Sequence, residues 1–597
     1  MSPADKTLTA ILADFGLDKE QERRKFGSKV NFVGQIPSVE KTGSEKINLS
    51  LVGAVPAAAN ALAASWIFEG RGGGEQVVDV DVGRGHNYID PDVGMTPSLN
   101  GQEITVDLVV GNPFLKNIYE TKDGRHVVLS AVYVDLVYQW SSFLGCSVLE
   151  QDVKDAVGKW NAKDLEASAA TAGLPMAIVQ SPSEWANHPH GSIMTSLPIV
   201  NVKHIQTSAP PLVLSPNPKR PLEGLKVLCA THAIAGPTIG RTLAEHGASV
   251  LQIMFTHGFE HNFVYTYANI GTASTRLNFH KEADRVRMWE LIKDAHVWVD
   301  SYREGGLSKF GFGDEELHGV NPGLIISHVR CYGIEGPWSG KPGFDMQGSA
   351  SSGLMAYCGG SLQSPAWPPG MVINDYTTGY FGALAVQACV LRRMREGGGF
   401  VVGPSLTGTA MSILKLFKTA VDCGFDGEAL GPEVLEGATG MGYLRTLKPL
   451  PKMSLTPIGY EFLLVPIGSS VPAFPGQEGE YDVSKQVPRE KHQALGDFAV
   501  PLMKRLTNDT ASSYLRQPEC TSPPSTPASL ALLGSTAIAV DNSALGLAIP
   551  TNDGPACEAN SGFNVFNGTK GIGDCQDYLI DNDKACLWIA PYYHLML

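Results

Sequence analysis

A carboxylate stands at the start of a long apolar segment in residues 368–399, PPGMVINDYTTGYFGALAVQACVLRRMREGGG. Asn374 and Asp375 precede the apolar run, arginines close it, and three glycines follow. This order predicts a helix, because Asn and Asp favour helix starts, bases favour the last turn and Gly favours the residue after the end. The helix is apolar on most sides, so we expect it to be buried. Asp375 then lies at the positive end of the helix, where negative charge is stabilised.

Two roles are open to Asp375 on this local pattern. A capping carboxylate would only satisfy backbone N–H groups at the start of the helix, as many Asp residues do. A nucleophilic carboxylate would instead attack an electrophilic substrate and form a covalent intermediate. The rest of the chain has to decide between these two roles.

A second segment of the chain has the same order of features as the first. Residues 48–68, NLSLVGAVPAAANALAASWIF, are followed by a glycine-rich stretch and a strand pattern, as residues 374–391 are. Aligning Gly53 with Gly379 places Leu49 at the position of Asp375. An internal repeat of this kind predicts two related halves, of which only the second carries the carboxylate.

Composition limits the classes of protein that this chain can belong to. Hydrophobic residues make up 43% of the 597 residues and charged residues 18%, so sizeable cores are expected rather than a disordered chain. The net charge of −14 argues against a partner that is a nucleic acid. We see no signal-peptide pattern and no apolar run long enough to cross a membrane, so no membrane partner and a cytoplasmic location are expected.

Residues 222–329 alternate between short apolar strands and amphipathic helices. Such alternation predicts an α/β fold with a parallel, doubly wound sheet. The loop after the first strand contains Ala235-Gly236-Pro237 instead of G-x-G-x-x-G, so a dinucleotide site is not predicted. His188 and His190 lie close in sequence without a third ligand, so we expect surface histidines and no metal.

The chain divides by pattern into five predicted parts. Residues 111–191 have a compact α/β pattern of their own, with a turn at Asp123-Gly124 and helical periodicity after it. The predicted parts are a polar, weakly ordered lead-in at 1–47, a degenerate first half at 48–207, a Pro-rich linker at 208–220, a domain with the carboxylate at 221–477 and an atypical extension at 478–597.

An ordered set of short stretches runs through residues 221–385. They are PLEGLKVL at 221–228, IAGP at 234–237, LAEHGASV at 243–250, VDSYREGGLSKFGF at 299–312, NPGLIISHVRCYGIEGP at 321–337, KPGFDMQGSASSGL at 341–354 and NDYTTGYFGALA at 374–385. Together these stretches resemble the class III CoA-transferase family, the CaiB/BaiF type. Residues 48–82 and 111–191 resemble later portions of the same family.

The resemblance implies that Asp375 is a nucleophile that takes CoA from an acyl-CoA thioester and passes it to a carboxylic acid. It also implies that Tyr302, Arg303 and Lys309 bind the nucleotide part of CoA, although solvated charged side chains would look the same in sequence. CoA esters are then substrates, and no permanently bound cofactor is expected. Asp345 either orients the site or caps the helix that follows it.

The family fold implies a Rossmann-like large domain with a parallel sheet, plus a smaller domain. Because family members form interlocked dimers, the two halves in tandem predict a pseudo-dimer, either monomeric or a homodimer. An acyl-CoA racemase or isomerase is an alternative, but Phe344 stands where that sister group has its histidine. A CoA-binding pseudoenzyme without activity is a further alternative.

Overall fold

A computed structural model describes residues 1–17, 26–44, 46–89, 94–105, 111–115, 117–255, 259–370, 372–418 and 425–478. The α-helices in this part of the chain are α1 Pro3–Asp14, α2 Leu49–Gly70, α3 Val134–Leu144, α4 Glu150–Val157, α5 Ala162–Thr171, α6 Pro182–Asn187, α7 Pro189–Ser196, α8 Ala235–Ala244, α9 Asn262–Ala268, α10 Glu282–Asp294, α11 Asp314–Val320, α12 Asp345–Ser352, α13 Leu354–Gly359, α14 Ile373–Glu396 and α15 Leu406–Leu416.

The strands are short, and most of them are buried on at least one face. They are β1 Lys29–Val33, β2 Val77–Asp81, β3 Ser98–Leu99, β4 Gln102–Glu103, β5 Tyr119–Glu120, β6 His126–Leu129, β7 Met176–Ile178, β8 Asn201–Ile205, β9 Lys226–Ala230, β10 Ser249–Phe255, β11 Ala273–Leu277, β12 Val297–Asp300, β13 Ile325–His328, β14 Gly399–Gly403, β15 Val434–Thr439, β16 Gly442–Leu447 and β17 Lys452–Met453.

The predicted parallel sheet is confirmed. Among the described strands, seven form one sheet in the order β11-β10-β9-β12-β13-β14-β8. All neighbours in it are parallel except β8, which pairs with β14 in the antiparallel direction. The strand order runs outward in both directions from β9 and β12, so the chain changes direction between these two strands. Ligands of open α/β sheets bind at such a switch point, beyond the carboxyl ends of the strands.

Helix α14 extends further than its apolar run. It starts at Ile373, ends at Glu396 and has Arg393 and Arg395 in its last turn, with Gly397 as the C-cap at a φ of 69°. The helix is buried along nearly all of its length, as its composition predicts. It packs against α2, where Asn60 donates through its side chain to the carbonyl of Tyr380 at 2.9 Å.

Helix α2 is the buried partner of α14, and Asn48 is its N-cap, with a side chain that accepts the backbone N–H of Leu51. It has 22 residues and a mean hydropathy of 1.6, so it is long and apolar enough to cross a membrane, contrary to the expectation that no run is. All of that apolar window is buried inside the protein. Small residues dominate the helix, and this composition lets neighbouring backbone approach it closely.

The expectation of a weakly ordered lead-in is wrong for the described part of residues 1–47. Helix α1 has a capping box between Ser2 and Asp5, which satisfies two backbone donors at its start. Its apolar residues, including Ile11 and Leu12, are buried in the same core as α2. Strand β1 pairs in parallel with β2. The short apolar face of α1 is therefore stabilised by tertiary packing rather than by its own length.

A smaller α/β layer is formed by the antiparallel strands β5-β6-β7 and the helices α3, α4 and α5. Its core is separate and includes Phe114, Trp140 and Leu165, all nearly inaccessible to solvent. This layer matches the compact pattern of residues 111–191. Its helix α5 ends close to the loop after β12, which brings the two layers together beside the switch point of the large sheet.

Elements from both predicted halves share sheets. Strand β8 of the first half completes the large sheet beside β14, and β2 of the first half pairs with β17 near the end of the described chain. The described residues therefore belong to one compact unit. The predicted extension at 478–597 lies outside the described residues except for its first position, Glu478.

Candidate active site

The start of α14 is capped by a carboxylate from another helix. Asp345, which is buried at the start of α12, accepts the backbone N–H of Asn374 at 2.7 Å and that of Asp375 at 3.0 Å. It also accepts from the side-chain amide of Asn374 at 3.1 Å. The N-cap position is Val372, and Asp375 lies inside the first turn. The interpretation of Asp375 as the capping residue is therefore wrong, because Asp345 performs that role.

Of the two roles open to Asp345, the contacts support both at once, since capping α14 also fixes the backbone that carries Asp375. We predict that Asp345→Asn lowers the free energy of unfolding by about 1–3 kcal/mol, because an amide N–H₂ would face backbone donors that need an acceptor. Urea unfolding measures this change. The variant Asp375→Asn, which changes the other carboxylate at the start of α14, is the control; an equal loss in both variants would contradict the capping role.

Asp375 lines a small cavity at the switch point of the large sheet. The cavity has a volume of about 80 Å³ and is bordered by the loops after β9, β12 and β13 and by the segment before α12. Only 8% of Asp375 is exposed. Sequence-distant residues meet here, and they include His232, Ala233, Ser301, Tyr302, Arg303, Arg330, Cys331, Lys341 and Phe344.

The structure brings two of the three predicted CoA-binding residues to this cavity. Tyr302 and Arg303 line it, and Arg303 donates from Nη2 to the carbonyl of Gly173 at the end of α5, at 2.9 Å. Lys309 does not line it; its Nζ lies 5.0 Å from the ring of Phe310 and its side chain is exposed. The cavity can hold only a small part of a CoA ester, so the role of Lys309 at a remote part stays a prediction.

Lys341 is a cation of the cavity that sequence reasoning did not select. Its Nζ pairs with Glu166 of α5 at 2.8 Å and lies 3.6 Å from the ring centre of Trp338. The side chain is 7% exposed, and burial lowers the pKa of its amine, with Glu166 acting in the opposite direction. The pairing with Glu166 joins the smaller layer to the loop that borders the cavity. Its position in the KPGFDMQ stretch was the available signal.

His190 holds the same loop in place and does not lie at the surface, so the expectation of a surface histidine is wrong for it. Its ring is fully buried. Nδ1 accepts the backbone N–H of Trp338 at 3.1 Å, and Nε2 then donates to the carbonyl of Tyr332 at 2.8 Å. Among the residues described here, no group of three His, Cys, Asp or Glu side chains could hold a metal ion.

Two further groups of the cavity differ sharply in the chemistry open to them. Burial raises the pKa of the Cys331 thiol to about 12, so this thiol is protonated near neutral pH and is a poor nucleophile. Burial lowers the pKa of His232 to about 4, so its imidazole is neutral. Asp375 is left as the carboxylate placed for attack. His232 was missed in sequence, although it follows the first strand directly, at the edge where ligands bind.

A larger cavity of about 560 Å³ lies elsewhere, between α15 and the segment around Trp185, and does not include Asp375. Some of its polar side chains bond to one another or to backbone; Asn201 donates to Glu335 at 2.7 Å, and Ser412 donates to the carbonyl of Gly408 at 2.8 Å. Size alone does not make an active site, and of these two cavities only the smaller one contains Asp375.

The comparison with known families bears on this geometry directly. The model of CoA-transferase family III matches residues 222–429, which contain the large sheet from β9 to β14, Asp345 and Asp375. These residues are therefore similar to CoA-transferase family III. The predicted resemblance is thereby confirmed.

Relatives of this part of the chain carry CoA-transferase names. Acetyl-coenzyme A transferase nodX of Hypoxylon pulicicidum is 32% identical over 319 residues, covering 49% of this chain and 53% of that protein. Succinyl-CoA:glutarate CoA-transferase of Mus musculus is 30% identical over 207 residues, covering 33% and 47%. The crystal structure of Rv3272 from Mycobacterium tuberculosis, orthorhombic form, is 29% identical, covers 33% and 57%, and has a TM-score of 0.31. The chain spans about half the length of the curated relatives it matches.

Proposed function

We propose that this chain transfers CoA from an acyl-CoA thioester to a carboxylic acid through covalent intermediates on Asp375. One observation carries the proposal: Asp375 lines the switch-point cavity, while a different carboxylate, Asp345, caps the helix that carries Asp375. The names of relatives, which include acetyl-coenzyme A transferase and succinyl-CoA:glutarate CoA-transferase, support the same class of reaction. CoA esters would enter and leave as substrates.

The proposed reaction proceeds by exchange at acyl carbon. The Asp375 carboxylate attacks the thioester carbonyl, forming a mixed anhydride and releasing CoA thiolate. The thiolate attacks the aspartyl carbonyl of the anhydride, which gives an aspartyl-CoA thioester and frees the donor acid as its carboxylate. The incoming carboxylate attacks that thioester, and the released thiolate then attacks the new acyl carbonyl. Asp375 is regenerated, and the energy of the thioester is kept throughout.

Water has to be kept from the anhydride, because hydrolysis would end the cycle. The low exposure of Asp375 and the small volume of its cavity favour this exclusion. Cys331 is the thiol nearest to this chemistry in the cavity lining, and its raised pKa keeps it from competing with CoA thiolate for the anhydride.

Arg303 is proposed to bind a remote, anionic part of the CoA ester. We predict that Arg303→Ala raises the KM for acyl-CoA by about tenfold and changes kcat by less than twofold, because the lost contact is made equally in the ground state and the transition state. Steady-state kinetics with varied acyl-CoA measures both constants. A raised KM is also expected for Lys309→Ala, since Lys309 lies outside the cavity and stays predicted to bind a remote part of CoA. An unchanged KM in both variants would return both residues to the solvated loop of the alternative interpretation.

A racemase or isomerase is the alternative, and His232 makes it worth testing. An imidazole does share the cavity with Asp375, although it comes from the loop after β9 and not from the position of Phe344. Removing an α-proton requires a base whose pKa is near the working pH. The pKa of His232 itself, lowered to about 4 by burial, makes this imidazole alone a weak base for that step. The relatives carry the names of CoA-transferases, so CoA transfer is the better supported function.

The first half is proposed to replace a partner subunit and to carry no second site. Leu49, which aligns with Asp375, is buried in the core and cannot attack a thioester. This arrangement is the predicted pseudo-dimer, with the predicted boundaries at 48–207 and 221–477, and it applies whether the chain is monomeric or forms a homodimer. A cytoplasmic location belongs to the same proposal.

The proposed function is tested by incubating the protein with an acyl-CoA and a panel of free acids. A new acyl-CoA detected by mass spectrometry supports transfer, and loss of optical activity of a chiral acyl-CoA supports the racemase. Hydroxylamine trapping with acyl-CoA should place one hydroxamate per chain on the peptide that contains Asp375. A modified carboxylate within residues 48–216, or binding without any turnover, would overturn the proposal.

A further inference from the structure

A buried carboxylate lies behind the cavity wall and is not part of the proposed transfer steps. Glu260, between β10 and α9, is 5% exposed. Its carboxylate accepts the backbone N–H of Ala233 at 2.7 Å and that of His261 at 3.1 Å. Ala233 has a φ of 59°, a left-handed conformation that is strained for a residue with a side chain. Glu260 therefore holds the strained loop that carries His232 into the cavity.

The hydroxyl of Tyr133 lies between Glu260 and His232. Its oxygen is 3.3 Å from Oε2 of Glu260 and 3.2 Å from Nδ1 of His232. A phenol has a single hydrogen, so it can donate to only one of these two groups at a time. The ring of His232 is fixed between Tyr133 and Tyr302, with ring centres 5.9 Å and 4.8 Å away. The three side chains thus form a continuous hydrogen-bonded path from a buried carboxylate to the cavity.

We propose that Glu260, Tyr133 and His232 form a proton relay into the cavity that contains Asp375, in which Glu260 determines which nitrogen of His232 carries the hydrogen. When Glu260 is ionised, Tyr133 donates to the carboxylate, Nδ1–H of His232 donates to the phenol oxygen, and Nε2 is an acceptor. When Glu260 is protonated, its O–H donates to the phenol oxygen, Tyr133 donates to Nδ1, and Nε2–H is a donor.

The proton count of the relay closes without any other reactant. A proton taken from the cavity binds Nε2, the Nδ1 hydrogen passes to the phenol oxygen, and the phenol hydrogen passes to Glu260. One proton has then moved from the cavity to Glu260, and no covalent bond between non-hydrogen atoms has been made or broken. Within the described residues, Nε2 of His232 has no hydrogen-bond partner, so a substrate atom in the cavity can take that place.

The surroundings of the relay place its switch near neutral pH. Burial raises the pKa of Glu260 to about 7, although the three hydrogen bonds that its carboxylate accepts act to lower it. Burial lowers the pKa of His232 to about 4. Glu260 is therefore the member that titrates, and the imidazole stays neutral. The other titratable or charged groups around the three side chains are His261, Asp300, Tyr302, Arg303, Arg330 and Asp375.

The relay would act on the proposed transfer through a hydrogen bond from His232 to the carbonyl oxygen of the thioester. This step rests on the proposed function. Attack by Asp375 places negative charge on that oxygen, and a hydrogen-bond donor aimed at it stabilises the transition state. The arrangement with Glu260 protonated supplies such a donor at His232. The transfer rate should therefore fall as pH rises through the pKa of Glu260. Glu260 and Tyr133 are positioning residues, because both act through His232.

Nitrogen-15 NMR of histidine-labelled protein tests the relay without any substrate. Between about pH 5.5 and 8.5 the signals of His232 should change from the Nε2–H to the Nδ1–H tautomer. The variant Glu260→Gln should stay in the Nε2–H form throughout, because the amide nitrogen donates to Tyr133 as a protonated carboxyl does. His261 is the internal control, since its Nε2 lies 2.8 Å from the carbonyl of Val132 and must keep its hydrogen. A tautomer of His232 that is constant in the wild type would overturn the relay.

Transfer kinetics supply the second arm. The kcat of the wild type should fall about tenfold for each pH unit above about 7. This decline above pH 7 should disappear in both Glu260→Gln and Tyr133→Phe, and the kcat of both variants should be lower than that of the wild type at pH 6. An identical decline in Glu260→Gln would overturn the assignment to Glu260. A tautomer change in a protein without any transfer activity would keep the relay and would reject the proposed function, so the two failures are distinguishable.

Discussion

Asp375→Asn is expected to fold as the wild type does and to lose CoA transfer by a factor of about 10⁴ or more, the size of effect seen when an enzyme loses its nucleophile. The fold should survive because Asp345, and not Asp375, caps α14. The chemistry should fail because an amide cannot form the anhydride. Mass-spectrometric detection of new acyl-CoA over several hours measures the residual rate.

Two comparisons make this result specific. The Kd of Asp375→Asn for the CoA ester should be within about threefold of that of the wild type. Contacts that hold the ester equally in the ground state and the transition state do not depend on the nucleophile. Asp345→Asn keeps the nucleophile and disturbs only the helix start, so it should lose far less activity. Near wild-type turnover by Asp375→Asn, or equal losses in both variants, would show that Asp375 is not the nucleophile.

The sequence was sufficient to predict the parts of the site that depend on residues close together in the chain. The helix of Asp375 follows from its apolar run and its end signals, and Tyr302 and Arg303 follow from a family stretch at the end of a strand. Glu260 and Lys341 were missed because their roles depend on partners that are remote in the chain. Glu260 meets Tyr133 from the smaller layer, and no periodicity or capping pattern encodes such a meeting.

The fold, like the site, could be predicted where the pattern is local and could not be predicted where it depends on contacts between distant segments. Alternating strands and helices predicted the parallel sheet from β9 to β13, since buried strands and amphipathic helices have clear periods. Strand β11 and helix α9 do not stand out in the sequence, because ASTRL and NFVYTYA are short and carry no clear period. The order of β8 beside β14 could not be predicted either, since pairing between distant strands is decided by packing.

The close packing of α2 makes Gly53 a sensitive position. A Cβ added at Gly53 would overlap the carbonyl oxygen of Gly85, and one added at Gly85 would overlap the carbonyl oxygen of Ser50. The backbones of α2 and the 3₁₀ segment Val82–Tyr88 therefore touch directly. We predict that Gly53→Ala lowers the free energy of unfolding by about 3 kcal/mol or more, since overpacking of a filled core forces backbone to move.

Gly70, the last residue of α2, is the matched control because no such obstacle faces it. A Cβ there would lie in ordinary contact, 3.6 Å from the side chain of Met394 and 3.8 Å from that of Phe26. Gly70→Ala should therefore cost clearly less than Gly53→Ala in urea unfolding. Equal or reversed losses would show that the contact of Gly53 with Gly85 can relax and that α2 is not fixed by backbone contact.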